Sequence, residues 1–475
     1  MNKPNDIDRV RLDVAALVER AREAQRRYET FDQQQVDEVV TALGWAIIDE
    51  DNNRTLAKQA VAETGLGNVA DKMLKNRRKT LGLLRDLKGA KSVGVIAEYP
   101  DKGLVEIARP VGVVAAIVPS TNPAATPANK VINALKGRNA VILAPSPKGE
   151  GVCATLVAMM HRELDRVGAP RDLVQKLPAP VDKAHTFELM SQADLVVATG
   201  SQSNVRAAYK SGTPAVGVGA GNVVSIVDET ADPARAAAMI VKSKTFDNAT
   251  SCSSENNLVI VEDAWKATLA ALESEGACLL DAADKAKLES ALWRDGRLNP
   301  ALIARSADHI AASVGLAGGV AARVLMVAET GYGPAFPFSG EKLCPVLTVY
   351  RARDFAHARE IARGVLDYQG KGHSVGIHTA DEQRPLELAL DLPVCRVIVN
   401  QVHCYATGGS FDNGLPFSLS MGCGTWGGNS ISDNMNYRHY LNTTRISRTI
   451  PADEPSLADI FADYWVRHDI EPPPR

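Results

Sequence analysis

The sequence predicts an α/β protein made of two doubly wound domains and a β-hairpin arm. Three observations carry that expectation. From about residue 110 onward, apolar β-branched runs alternate with helical segments, the pattern of parallel strands joined by crossover helices. Some of those runs, Val111 to Val118 above all, are continuously apolar, as strands covered on both faces are. Finally, Pro100-Asp101-Lys102-Gly103 separates Val93, Val95 and Ala97 from Leu104, Val105 and Ile107, two alternating runs with hairpin-turn chemistry between them.

Taken in order, residues 7 to about 90 read as helices. Val14, Leu17, Val18 and Ala21 recur at helical spacing, as do Val36, Val39, Val40, Leu43 and Ile47. Thr30 or Asp32 is placed to cap the second helix. Charges fill the opposite faces, so this region reads as an outer helical layer. The hairpin over 92–108 stands out from it as an interaction arm. The strand at 111–118 ends at Pro119-Ser120-Thr121-Asn122-Pro123, followed by a helix from Pro127 to Leu135 and a strand from Ala140 to Leu143. A helix from Gly151 to Val167 and a strand from Leu195 to Ala198 come next. That strand runs into Thr199-Gly200-Ser201, a helix from Ser203 to Lys210, and the segment Ala215 to Gly221. A second α/β unit begins near Val223. It reads as helices from the Cys252 region to about 327, then strands at Thr348 to Tyr350, Ser374 to His378 and Val397 to Asn400. Residues 401–434 are rich in Gly, Ser and Asn, a long loop region. Residues 440–449 read as a terminal strand and 455–468 as a tail helix. The boundaries are therefore 1–91 with 109–222 for the first domain, 223–438 for the second, 92–108 with 439–450 for the arm, and 451–475 for the tail.

The bulk figures fit this picture. The chain has 475 residues, 45% apolar and 23% charged, as ordinary globular proteins do. A formal charge of −3 offers no basic field for nucleic acid or a membrane surface. The longest apolar run, Val111 to Pro119, is too short to span a bilayer, and Met1-Asn2-Lys3-Pro4-Asn5-Asp6 has no apolar signal core. Seven cysteines without a C-x-x-C pair argue against a disulfide framework or a zinc ribbon and for a reducing cytoplasm. No metal site is expected.

One stretch organises the chemistry, Phe246 through Asn257, small and polar, with Leu258-Val259-Ile260-Val261 directly after it. A cysteine on a polar turn before a buried strand is placed to present its sulfur to a cleft. The plainer reading of Cys252 is an ordinary buried cysteine. Asn122 before a proline is also a common turn residue, and Thr199-Gly200-Ser201 also suits a helix cap. Gly217-Val218-Gly219-Ala220-Gly221 fails the G-x-G-x-x-G pattern because Asn222 occupies the third glycine's place. Cys344, Cys395, Cys404 and Cys423 read as structural.

With Val118 to Pro123, Thr199 to Ser201, Gly217 to Asn222, the Cys252 stretch, Glu341…Pro345 and Gly422 to Ser430 in this order, the chain resembles the aldehyde dehydrogenase superfamily over roughly residues 10 to 450. Within it, the CoA-acylating branch is most similar. The resemblance implies that the first domain binds a nicotinamide dinucleotide, that the second is catalytic, and that the arm builds a homodimer or homotetramer. It implies Cys252 as nucleophile and Asn122 as the amide of an oxyanion hole. Pro119, Ser120, Ser146, Lys148, Thr199, Gly200, Ser201, Gly217 and Glu341 match the cofactor-binding positions, with Glu341 on the nicotinamide ribose. The loop opening at Gln401 matches the aldehyde channel, and His403, Tyr405 and Ser410 in it can donate hydrogen bonds to substrate.

Two departures sharpen the expectation. Hydrolytic members of the family carry a glutamate where this chain has Gly217, and glycine cannot act as a base toward water. Coenzyme A is then the expected acyl acceptor. Hydrolytic members also carry a lysine and often a glutamate where this chain has Ala144 and Pro147. With Lys148 next in sequence, the expected cofactor is NADP or NAD, NADP slightly favoured. The polar channel loop suits an anionic aldehyde, sulfoacetaldehyde first. The alternatives are acetaldehyde or propanal with CoA, a hydrolytic semialdehyde dehydrogenase, and a scaffold protein that kept the fold.

Overall fold

A computed structural model describes residues 4–473; Met1 to Lys3, part of the stretch read for a signal core, lie outside the described residues, as do 474–475 of the tail. The chain opens with four helices, α1 (Pro4–Tyr28), α2 (Gln33–Ile48), α3 (Glu50–Thr64) and α4 (Val69–Leu87). Asp32, rather than Thr30, caps α2. Its carboxylate accepts from the Gln35 amide at 2.9 Å and the Gln35 side chain accepts from the Asp32 amide at 2.9 Å, a reciprocal capping box. Val36, Val39, Val40, Leu43 and Ile47 form the buried face of α2, as their spacing predicts. Helix α4 departs from the expected pattern. Its buried residues include Lys72, Lys75, Asn76 and Thr80, so charge lies on its inner face as well as its outer one.

The hairpin follows as β1 (Gly94–Tyr99) and β2 (Leu104–Pro110), antiparallel, with Tyr99 opposite Leu104. Gly103 closes the turn at φ 59, and a Cβ there would lie 2.5 Å from the Arg448 carbonyl oxygen, so only glycine fits.

The first domain holds five parallel strands, β3 (Val113–Val118), β4 (Ala140–Pro145), β5 (Val174–Lys176), β6 (Leu195–Ala198) and β7 (Ala215–Gly217), in the order β5-β4-β3-β6-β7. Strands β3, β4 and β6 are buried throughout. Helix α5 (Ala125–Lys136) leaves the end of β3 and is itself wholly buried. Its Lys130 ammonium is satisfied by the carbonyls of Ile117 at 2.5 Å and Val197 at 2.9 Å.

The second domain is a seven-stranded parallel sheet. Its strands are β8 (Val223–Val227), β9 (Glu255–Val261), β10 (Ala277–Leu279), then a small antiparallel clip of β11 (Trp293–Arg294) and β12 (Arg297–Leu298), then β13 (Val324–Ala328), β14 (Val346–Ala352), β15 (Val375–His378) and β16 (Val397–Val399). The sheet order is β10-β13-β14-β9-β8-β15-β16, with the clip outside it. Strands β10 and β13 replace part of the helical region expected up to 327, because a five-residue apolar run does not by its period distinguish helix from strand. The last strand, β17 (Leu441–Ser447), returns to the arm and pairs antiparallel with β2 from Leu441 opposite Pro110 to Ser447 opposite Leu104. The tail helix Leu457–Arg467 buries none of its residues. Among the described residues no helix is long and apolar enough to cross a membrane.

Candidate active site

The polar turn before β9 is built on strained backbone. Asp247, Asn248 and Ala249 are three successive non-glycine residues at φ 50, 51 and 59, and such conformations persist only where the surroundings hold them. Here they do. The Asp247 amide donates to the Asp71 carboxylate at 2.8 Å, and the Asn248 side chain donates to the Ala304 carbonyl at 3.0 Å. The Asp247 carboxylate accepts from Lys75 at 2.6 Å, Thr250 at 2.8 Å, the Asn68 amide at 3.0 Å and Lys72 at 3.1 Å. Burial alone would push this carboxyl up, but Lys75 and Lys72 outweigh it and hold it below the usual carboxylate range.

Cys252 sits at the end of this turn, half-buried. Dense packing around its sulfur pushes the thiol up to about 12, and the nearby negative charge of Glu341 adds to that; its own backbone amide and Arg396 pull the other way. Glu341 is in turn pushed up to about 8 by burial, against Lys244 and Lys342. Gly221 packs on the cysteine so closely that a Cβ would lie 2.1 Å from the Cys252 carbonyl oxygen. Gly221→Ala is therefore expected to displace the turn and lower kcat/KM by about 10²-fold, read by steady-state kinetics; activity like that of the parent would show that the turn yields.

Asn122 lies four residues beyond β3, and its amide oxygen accepts from Lys75 at 2.8 Å. Gly200, at φ 146, faces Pro119, with 3.7 Å between the position of a Cβ and the Pro119 Cβ. Ser201 accepts from the Asn204 amide at 3.3 Å, capping the helix Gln202–Lys210, so the cap reading of that motif describes its local role. Thr199 pairs with the Ser420 hydroxyl at 3.0 Å. Beyond the ends of β3, β4 and β6 lies a cleft of about 460 Å³, whose walls include Val118, Ser146, Lys183, Phe187 and Asn204. A dinucleotide fits the carboxyl end of such a sheet, where the switch in strand order opens a crevice. Lys148, in the single turn Pro147–Gly149 beside it, is exposed.

At Gly217 the structure adds a steric reason to the chemical one. A Cβ there would lie 2.5 Å from Val205 Cγ1 and 3.0 Å from the Tyr209 ring. Tyr209 is fixed in that place, accepting from the Gly217 amide at 3.0 Å and the Ser430 amide at 3.1 Å. The position holds no carboxylate, and its neighbours fill the space one would need.

The three residues expected to line the aldehyde channel fall in different surroundings. His403 is buried, and its Nδ1–H donates to the Ser253 carbonyl at 2.9 Å, so it supports the cysteine turn. Burial lowers it to about 4, which keeps it neutral. Tyr405 packs edge-on against Phe246, with ring centroids 4.8 Å apart. Ser410 accepts from Arg78 at 3.3 Å, and the same guanidinium lies 4.5 Å over the Tyr405 ring. Arg78, like Lys72, Lys75 and Lys79, comes from α4. Sequence reasoning placed that helix in the outer layer and missed all four; the signal was basic residues at 72, 75 and 79, which share one helical face. Among the described residues no group of His, Cys, Asp and Glu is arranged to hold a metal ion.

Comparison with known proteins agrees with this geometry. The aldehyde dehydrogenase family model matches residues 8–328. An acylating sulfoacetaldehyde dehydrogenase of Cupriavidus necator is 59% identical over 96% of this chain and 92% of its own. One from Bilophila wadsworthia is 43% identical over 96% and 99%. The crystal structure of an acetylating aldehyde dehydrogenase from Geobacillus thermoglucosidasius superposes with a TM-score of 0.91 at 35% identity, covering 96% of this chain and all of that one. A half-buried cysteine on a strained turn and a cleft at the sheet's end thus occur in a chain that belongs to the aldehyde dehydrogenase family.

Proposed function

We propose that this protein is a CoA-acylating aldehyde dehydrogenase, converting aldehyde, CoA and NAD(P)⁺ to acyl-CoA and NAD(P)H, with sulfoacetaldehyde as substrate and sulfoacetyl-CoA as product. The observation that carries the acyl-transfer half is Gly217, which has no carboxylate and no room for one.

The residues divide the work. The Cys252 thiolate adds to the aldehyde carbon, and the carbonyl oxygen becomes anionic. The Asn122 side-chain N–H and the Cys252 backbone N–H are the donors for it, each such donor typically lowering the barrier by about 3 kcal/mol. A nicotinamide, when bound, would supply the acceptor for the hydride. Cys252 is left as a thioester. Without a base at 217, water attacks that thioester slowly. The thiol of CoA attacks instead, and the Cys252 thiolate leaves. Pro119, Ser120, Ser146, Thr199, Gly200 and Ser201 are the residues that would hold the dinucleotide, with Glu341 at its ribose. Lys148 and Lys183 are the cations available to a 2′-phosphate, so NADP is slightly favoured over NAD.

For the sulfonate, the support lies in α4. Arg78 is held between Tyr405 and Ser410, and no carboxylate of the described residues pairs with it. A guanidinium with unpaired N–H groups suits an oxyanion such as a sulfonate. The relatives with sulfoacetaldehyde in their names support the same substrate. His403, Tyr405 and Ser410 remain the loop's contribution, His403 by holding the cysteine turn. A homodimer or homotetramer built through the arm, in a reducing cytoplasm where the seven free thiols stay reduced, completes the reading.

The test is turnover of sulfoacetaldehyde against acetaldehyde and propanal. A single charge-assisted hydrogen bond is worth about 1.5–3 kcal/mol, so kcat/KM for the sulfonate is expected to exceed the others by at least about tenfold. Preference for the two apolar aldehydes would overturn the substrate assignment.

A further inference from the structure

We propose that Lys75 is the positioning residue of the oxyanion hole: it holds the Asn122 amide by its oxygen, so that the amide N–H₂ faces the reacting carbonyl. This rests on the reading of Asn122 as an oxyanion donor.

The geometry leaves Lys75 no other arrangement. An ammonium has three N–H donors and no acceptor. Three acceptors surround this one: Asp247 Oδ2 at 2.6 Å, Asn122 Oδ1 at 2.8 Å and Thr250 Oγ1 at 3.2 Å. The two ends of a carboxamide have nearly the same shape, so the hydrogen-bond partners decide which way it points. Turned the other way, Asn122 would set N–H₂ against N–H₃⁺, donor against donor beside a buried charge. Lys75 thus fixes the oxygen toward α4 and sends Nδ2 away from it. Among the described residues no group accepts from Asn122 Nδ2, which leaves it for a substrate oxygen.

The same contact ties the amide to the nucleophile. Asp247 belongs to the strained turn that ends in Cys252, and its carboxylate binds both Lys75 and Lys72. Lys72 also donates to the carbonyl of Thr121, next to Asn122, at 3.2 Å. One buried carboxylate and two lysines therefore hold the sulfur's turn and the amide's turn on one rigid helix. The spacing between sulfur and amide is what addition to a carbonyl requires to be constant.

The experiment is a double-mutant cycle on the full-length enzyme with saturating CoA, reading kcat, KM and the thermal melt. Asn122→Ala is expected to lower kcat by about 10²–10³-fold. Lys75→Met is expected to lower kcat by about 10²-fold, with KM for aldehyde little changed, because a misaimed donor costs in the transition state. The double variant is expected to match Asn122→Ala alone, since an absent amide needs no orientation. Lys75→Arg, which still donates to the amide, is expected to recover most of the rate. A double variant that loses the product of the two single effects would overturn the proposal, as would Lys75→Met with parental kcat. Parental kcat in Asn122→Ala would instead sink the reading of Asn122 itself. Should Lys75→Met not melt cooperatively, Lys75→Met combined with Asp247→Asn, which removes the carboxylate left short of a partner, takes its place with the same outcomes, measured against Asp247→Asn alone.

Discussion

Cys252→Ala is expected to lose NAD(P)H production by about 10⁴-fold or more while melting like the parent enzyme. Without the sulfur there is no covalent adduct, and neither hydride transfer nor acyl transfer has a route through the site. Stability is spared because the side chain is half-buried, on a turn held by Asp71, Lys72 and Lys75 and not by the thiol. Retention of more than a trace of activity would contradict the assignment. The same residue gives a pH signature. With its thiol pushed up to about 12, first by burial and then by Glu341, Cys252 is neutral at pH 7 in the free enzyme. Its alkylation should climb about tenfold per pH unit without the levelling near 8.5 of an ordinary cysteine. Glu341, itself near 8, exerts its negative charge only above that pH. Glu341→Gln should therefore speed alkylation above pH 8 and leave it little changed below.

Withholding CoA is expected to produce the second large effect. The first turnover should proceed, giving one equivalent of NAD(P)H per site. The steady rate should then fall by about 10²–10⁴-fold, the usual contribution of general-base catalysis to such a step. The reason lies at one position. Gly217 carries no base, and Val205 and Tyr209 occupy the space where one would stand. Glu341 is the carboxylate whose charge reaches the sulfur, but it is raised to about 8 and so is protonated at neutral pH, a poor base for water. A stopped-flow trace of nicotinamide absorbance distinguishes a burst from steady production.

Much of this was legible from the residues alone, for physical reasons that also mark where legibility ended. Continuous apolar runs such as 113–118 and 195–198 are strands buried on both faces, and period and composition suffice for them. Asp32 with Gln35 three residues on is a capping box visible in any sequence. The Cys252 turn was visible as small polar residues before an apolar strand. Its supports were not. Lys72 lies 175 residues from Asp247 in sequence, and lysines on a helix read as a solvated face until a distant carboxylate accounts for their burial. Arg78 and Ser410 meet across 332 residues. His403 shows the converse. Its type suggested a substrate donor, and the fold adds what the sequence does not show, that its Nδ1–H is directed to the backbone of Ser253. Strand β13 was missed because Val324 to Ala328 is too short for its period to decide.

The most direct measurement is the mass of the Cys252 peptide after the enzyme is mixed with sulfoacetaldehyde and NAD(P)⁺ but no CoA. The expected result is a sulfoacetyl group on that cysteine, stable over many turnover times and discharged on addition of CoA. Unmodified Cys252, with free sulfoacetate accumulating as fast as acyl-CoA forms when CoA is present, would contradict it.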